Sequence, residues 1–142
     1  MDTMADSNEK GLAIVLHSGS FDRLYHSFSI ALAALALGRE VKFFITYWAL
    51  EYLRKKDPAT FNLDQEGEAH IRILEDNIRK GHIHKVSELI SETKLMGAKL
   101  YACTGSMGML NISRDELIDD VDMSMGITTF LTETSSDQIL FV

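Results

Sequence analysis

Leu12 to Leu16 is an unbroken apolar run that ends abruptly in His17-Ser18-Gly19-Ser20. Such a run has no polar face to turn toward water, so it reads as a central strand covered on both sides, as in parallel sheets. Ser20 stands where a helix N-cap is needed and Asp22 falls in the first turn. Leu24, Phe28, Ala31, Leu32 and Leu35 then recur at helical spacing until Gly38 supplies a stop. Val41 to Tyr47, rich in β-branched and aromatic residues, reads as a second strand. Strand, helix, strand is a βαβ unit with a right-handed crossover, and it commits the chain to an α/β fold with an at least partly parallel sheet.

The rest of the sequence extends that pattern. Trp48 to Lys56 reads as a short helix stopped by Asp57-Pro58, and Phe61 to Gly67 as an irregular insertion. Ala69, Ile73, Asn77 and Ile78 mark a polar helix to Lys80; Ile83, Val86, Leu89, Ile90 and Met96 mark another that ends at Gly97. Ala98, Leu100 and Ala102 alternate with Lys99 and Tyr101 as a third strand. Ser113 and Glu116 match the Ser-x-x-Glu capping box of a short helix through Ile118, and Val121 to Met125 alternates as a fourth strand. Ile127 to Thr134 has strand composition but helical spacing, and a parallel sheet needs a crossover there, so it reads as helix before a last strand at Ile139 to Val142. The expectation is a three-layer αβα sandwich with five mostly parallel strands in the flavodoxin-like order 2-1-3-4-5. Residues 1–10 read as a disordered tail and 11–142 as one domain.

Cys103, the only cysteine, sits at the carboxyl end of the third strand and is followed by Thr104-Gly105-Ser106, a turn whose Gly105 and Gly108 are read as preventing a regular element. That edge of a parallel sheet is where ligands bind, and an exposed, partly ionised thiol there is a nucleophile. The bland alternative is a buried structural thiol. In the expected strand order the first and third strands are neighbours, which sets His17 and Cys103 across one crevice as a Cys/His pair. Ser18, Gly19 and Trp48 leave the same edge and join Thr104, Gly105 and Ser106 as candidate binding residues.

Composition narrows the functions. A net charge of −7 over 142 residues argues against a nucleic-acid backbone as partner, and one cysteine excludes an intramolecular disulfide. No apolar stretch reaches the roughly 18 residues of a membrane span. The polar, acidic start is unlike a secretory signal, so a cytoplasmic protein is expected. His70, His82 and His84 lack zinc-site spacing, Gly105 to Met109 lacks the Lys-Ser/Thr of a P-loop, and the turn after the first strand is not a dinucleotide fingerprint. No metal and no cofactor is therefore expected. Met96, Met107, Met109, Met123 and Met125 cluster near the cysteine and read as core filling more readily than as a partner surface.

GLAIVLHSGSFDRLYHSFSIALAALALGREVKFFITYWAL, then YAC with its Ser/Gly/Met-rich turn, then ELIDDVD together resemble the DsrE/DsrF-like sulfur-relay family, including archaeal and bacterial proteins grouped as DsrE-like or peroxiredoxin-family. The resemblance covers Gly11 to Val142. It implies a flavodoxin-like fold and a cytoplasmic homo-oligomer, a trimer or a larger even assembly. It also implies a cysteine, here Cys103, that carries sulfane sulfur or thiosulfate between partners such as TusA-like and rhodanese-like proteins. Some relatives have a second cysteine that this chain lacks. The leading expectation is a sulfur carrier or sulfurtransferase. Its rivals are a thiol peroxidase or redox sensor using the same cysteine, and a non-enzymatic oligomeric binding module with an inert thiol.

Overall fold

A computed structural model describes residues 10–56 and 62–142. Almost all of the expected tail, the Asp57-Pro58 helix stop and Phe61 lie outside the described residues. The chain runs β1 (Leu12–Leu16), α1 (Phe21–Ala36), β2 (Val41–Ile45), a 3-10 turn at Tyr47–Leu53, a second at Gln65–His70 leading into α2 (Ile71–Arg79), then α3 (Val86–Leu95) and β3 (Lys99–Cys103). It continues through α4 (Thr104–Met109), a 3-10 turn at Arg114–Glu116, β4 (Met123–Met125), α5 (Ile127–Glu133) and β5 (Gln138–Phe141). The doubtful Ile127 segment is thus a helix. Gly38, at φ 85°, supplies the left-handed residue just past α1.

All five strands pair in parallel, so their carboxyl ends share one edge. Their order is β4-β3-β2-β1-β5, which corrects the expected 2-1-3-4-5. The physical reason is in β2. Phe43 and Phe44 are adjacent, point to opposite faces and are both fully buried, which an edge strand cannot provide. β2 accordingly takes the centre, pairing Phe43 with Ile14 on one side and Leu100 on the other. The short β4 and the largely exposed β5 form the edges.

This order also determines how thickly each face is covered. From β1 through β4 every connection steps the same way, so right-handed crossovers put those helices on one face. There Leu24, Phe28 and Ala31 of α1 and Val86, Leu89 and Ile90 of α3 pack on Ile14, Phe43, Ile45 and Leu100, with the Phe28 and Phe43 rings 4.6 Å apart. Only the β4-to-β5 connection reverses, and among the described residues it places α5 alone on the other face. That face holds a small separate cluster of Ala13, Phe44, Cys103, Met125 and Phe130, edged by Val15 and Tyr101. Seven helical residues cannot roof a five-stranded sheet, and the gap they leave is the cavity described below.

Several elements are tighter than their sequences suggest. The segments after β2 and at Ser113 are 3-10 turns instead of α-helices, although the Glu116 carboxylate does accept from the Ser113 amide at 3.0 Å. Ser20 occupies the N-cap of α1, but its hydroxyl bonds the Asp22 carboxylate and accepts from the Asp64 amide at 3.2 Å. The largest departure is α4, a regular helix despite the expectation that Gly105 and Gly108 prevent one. Cys103 caps it through its sulfur, and Ser106 and Met107 bury one side, which outweighs the low helix propensity of glycine.

Asp122 ties the edge strand to the sheet. Its Oδ2 accepts from the Leu100 amide at 2.7 Å and from the Lys94 ammonium, and its own amide donates to the Leu100 carbonyl at 2.8 Å. Partial burial pushes the carboxyl's pKa up, but the Lys94 and Leu100 donors outweigh it and hold the pKa below the ordinary aspartate value. A depressed folded pKa means stability that is present above the unfolded pKa, near 4, and lost as pH falls through the folded value. Asp122→Asn is therefore expected to cost about 1–2 kcal/mol at neutral pH. In urea titrations the gap to wild type should be constant from about pH 5 to 8 and narrow below about pH 4; a gap that widened in acid would contradict this assignment.

Candidate functional site

β3 delivers Cys103 to the thinly covered face because its side chains alternate: Leu100 and Ala102 enter the main core, Tyr101 and Cys103 the other cluster. The thiol is 7% exposed. It is nevertheless not sealed in, since it borders a cavity of about 550 Å³ between the sheet edge, α4 and α5. The sulfur accepts a hydrogen bond from the Ser106 amide at 3.4 Å, so a backbone donor already points at the atom where negative charge develops on ionisation.

Phe44 and Phe130, stacked at 4.5 Å and 12°, form the cavity's apolar base, and Val15, Ile127 and Leu131 extend it. Its rim is also apolar, with Met109, Ile127, Leu131 and Phe141 all exposed to solvent. No Asp, Glu, Lys or Arg borders it among the described residues.

Of the residues expected from sequence, Cys103, His17, Thr104, Gly105 and Ser106 meet in this cavity. Ser18, Gly19 and Trp48 do not border it. Ser18 donates its amide to the Val142 carbonyl, and Gly19 passes so close to Trp48 that an added Cβ would lie 3.0 Å from that residue's Cβ. Trp48 is exposed, its ring edge-on to His17 at 6.3 Å. His17 and Cys103 share the cavity but are not neighbours, because β2 lies between their strands; no hydrogen bond joins them among the described residues. The imidazole instead packs against Tyr47 at 4.6 Å and Phe141 at 5.7 Å. Tyr47 reaches it by adopting φ 45°, an uncommon left-handed conformation for a side-chain-bearing residue. His82 and His84 are engaged by Asn77 and Glu88, and no metal-holding cluster occurs among the described residues.

Sequence reasoning marked the Tyr47-Trp48 strand end but missed Phe44, Thr46, Phe130 and Phe141. The Phe43-Phe44 pair was the available signal, since adjacent large aromatics in a strand must serve two faces. Phe130 was hidden in a threonine-rich segment.

A profile of the DsrE/DsrF/DrsH-like family matches residues 8–77 and 61–141, almost the whole chain. The chain belongs to the DsrE/DsrF/DrsH-like family. This family member is 26% identical over 156 residues to the uncharacterized protein YrkE of Bacillus subtilis, covering 94% of this chain and 97% of that one. It is also 26% identical over 160 residues to the sulfur carrier protein DsrE2 of Allochromatium vinosum, covering 94% and 99%. Its fold is similar to that of the ychN protein from E. coli, with a TM-score of 0.63 at 15% identity over 94% of this chain and all of that one. A protein of unknown function from Methanobacterium thermoautotrophicum aligns over the same shares with a TM-score of 0.57 at 14% identity. At these identities the two structures speak for the fold of the DsrE/DsrF/DrsH-like chain alone. Among its described residues no helix is long and apolar enough to cross a membrane.

Proposed function

We propose that this chain is a cytoplasmic sulfur carrier: the Cys103 thiolate takes a sulfane sulfur from a donor, holds it in the cavity and yields it to a partner thiol. The observation that carries the reading is a sole cysteine whose sulfur meets both an amide donor and an open, mostly apolar cavity. Mostly apolar walls keep competing nucleophiles dilute around a labile sulfur, and the Ser106 amide donates to it. Kinship with a protein named as a sulfur carrier supports the same direction. The test is loading of Cys103 itself. Polysulfide should add sulfur that a reductant removes, whereas peroxide oxidation to sulfenic acid without sulfur uptake would transfer the assignment to redox sensing.

Partners in this reading are thiol-bearing relay proteins of the TusA-like or rhodanese-like kind and further copies of the chain. Self-association is supported by Met109, Ile127, Leu131 and Phe141, which set four exposed large apolar side chains around one opening, and by exposed Trp48 nearby. Tyr52, by contrast, is half-buried with its hydroxyl on the Gly19 carbonyl, and does not add to such a surface. Sedimentation at micromolar concentration should give a trimer or a larger even assembly that Phe141→Glu dissociates. A clean wild-type monomer would contradict it.

A further inference from the structure

Ser106 is 1% exposed, and its hydroxyl oxygen is buried with no hydrogen-bond partner among the described residues. Buried hydroxyls almost always find a partner, and an unmade bond there is a cost that alanine, a better helix former, would avoid. Yet Ser106 borders the same cavity as Cys103, and its backbone amide already bonds that residue's sulfur at 3.4 Å. A buried orphan hydroxyl on a residue that lines the same cavity finds a natural acceptor in an atom that the Cys103 sulfur acquires. The remaining surroundings limit what the atom can carry. A sulfonate would bring a fixed negative charge and three acceptor oxygens into walls that hold neither Lys nor Arg. A bare sulfur brings one soft, polarizable atom, suited to a single hydroxyl donor and to the rings of Phe44 and Phe130.

We propose that the Ser106 hydroxyl is the hydrogen-bond donor to the outer sulfur of a Cys103 persulfide, a positioning residue that, with walls lacking Lys and Arg, makes the cavity favour bare sulfane sulfur over a sulfonated adduct. The proposal rests on the carrier reading above. In the loading step the Cys103 thiolate attacks the outer sulfur of an organic persulfide, R–S–SH. The new S–S bond forms as the donor's breaks, the electron pair leaves on R–S⁻, and the proton stays on the transferred sulfur, so no outside oxidant is needed. With tetrathionate the attack falls on an inner sulfur, thiosulfate leaves, and Cys103 retains S–SO₃⁻.

The experiment follows intact mass and melting temperature for wild type, Ser106→Ala and Ser106→Thr, each treated with inorganic polysulfide or with tetrathionate. Free Ser106→Ala should melt no lower than wild type, since it loses only an unpaired hydroxyl. On loading with polysulfide, wild type should gain thermal stability and Ser106→Ala should not. The alanine variant's adduct should also be lost to reductant about five- to tenfold faster, the factor expected for one hydrogen bond. Ser106→Thr, which keeps a hydroxyl, should restore part of both effects, as a merely structural role would not. Polysulfide should outpace tetrathionate on wild type by more than it does on free cysteine. A Ser106→Ala adduct as long-lived as wild type's, or tetrathionate loading at the ratio of free cysteine, overturns this proposal and leaves the carrier reading standing. Failure of wild type to load from either reagent overturns both.

Discussion

Phe44→Ala is expected to destabilise the protein by about 3–5 kcal/mol, the range for removing a fully buried phenylalanine. Phe44 has no exposed surface, stands on the central strand and stacks on Phe130, so the loss combines burial, the ring pair's own contribution of about 0.5–1.5 kcal/mol and the void left behind. The thin face gives little means of repair, because among the described residues only α5 covers it and its single buried residue is Phe130. The midpoint of urea unfolding should fall with an unchanged slope, and the melting temperature should drop by about 10 °C at fixed protein concentration. Phe44→Leu, which keeps most of the volume, should cost about 1.5 kcal/mol or less. A cost below about 1 kcal/mol for the alanine variant would mean that β2 is not central and that the cavity has a different base.

The same residue marks where the sequence stopped being legible. β1 announced itself as a continuous apolar run, β3 by its alternation and α1 by its period, cap and terminating glycine, while α5 needed the crossover argument to outweigh its strand composition; all but the last of these signals are local. Strand order is not local. It depends on which faces are buried, and only the adjacency of Phe43 and Phe44 carried that information. An order with β2 at the edge makes β1 and β3 false neighbours and draws His17 toward Cys103. The site was legible where chemistry is scarce: one cysteine at a strand end located Cys103, Thr104, Gly105 and Ser106 together. Its walls were not, since Phe130 and Phe141 reach the cavity only through the reversed β4-to-β5 crossover. The helix after Cys103 was obscured by Gly105 and Gly108, whose propensities say less than the burial of Ser106 and Met107.

Cys103→Ser should abolish sulfur loading while leaving the fold intact. Serine has nearly the same volume and can still accept from the Ser106 amide at the cap of α4, so the change in stability should stay within about 1 kcal/mol. An oxygen cannot form the stable sulfur adduct, and the chain has no second cysteine to substitute for it. The thiol's low exposure makes the result informative, because a structural thiol sealed in a core and a carrier thiol opening on a cavity differ in access. The decisive measurement is the intact mass of wild type, Cys103→Ser and urea-unfolded wild type after polysulfide, before and after a reductant. Native wild type should gain one or more sulfur atoms and lose them to the reductant, and Cys103→Ser should gain none. If native wild type stays unmodified while the unfolded chain loads readily, Cys103 is a buried structural thiol and the carrier account is wrong.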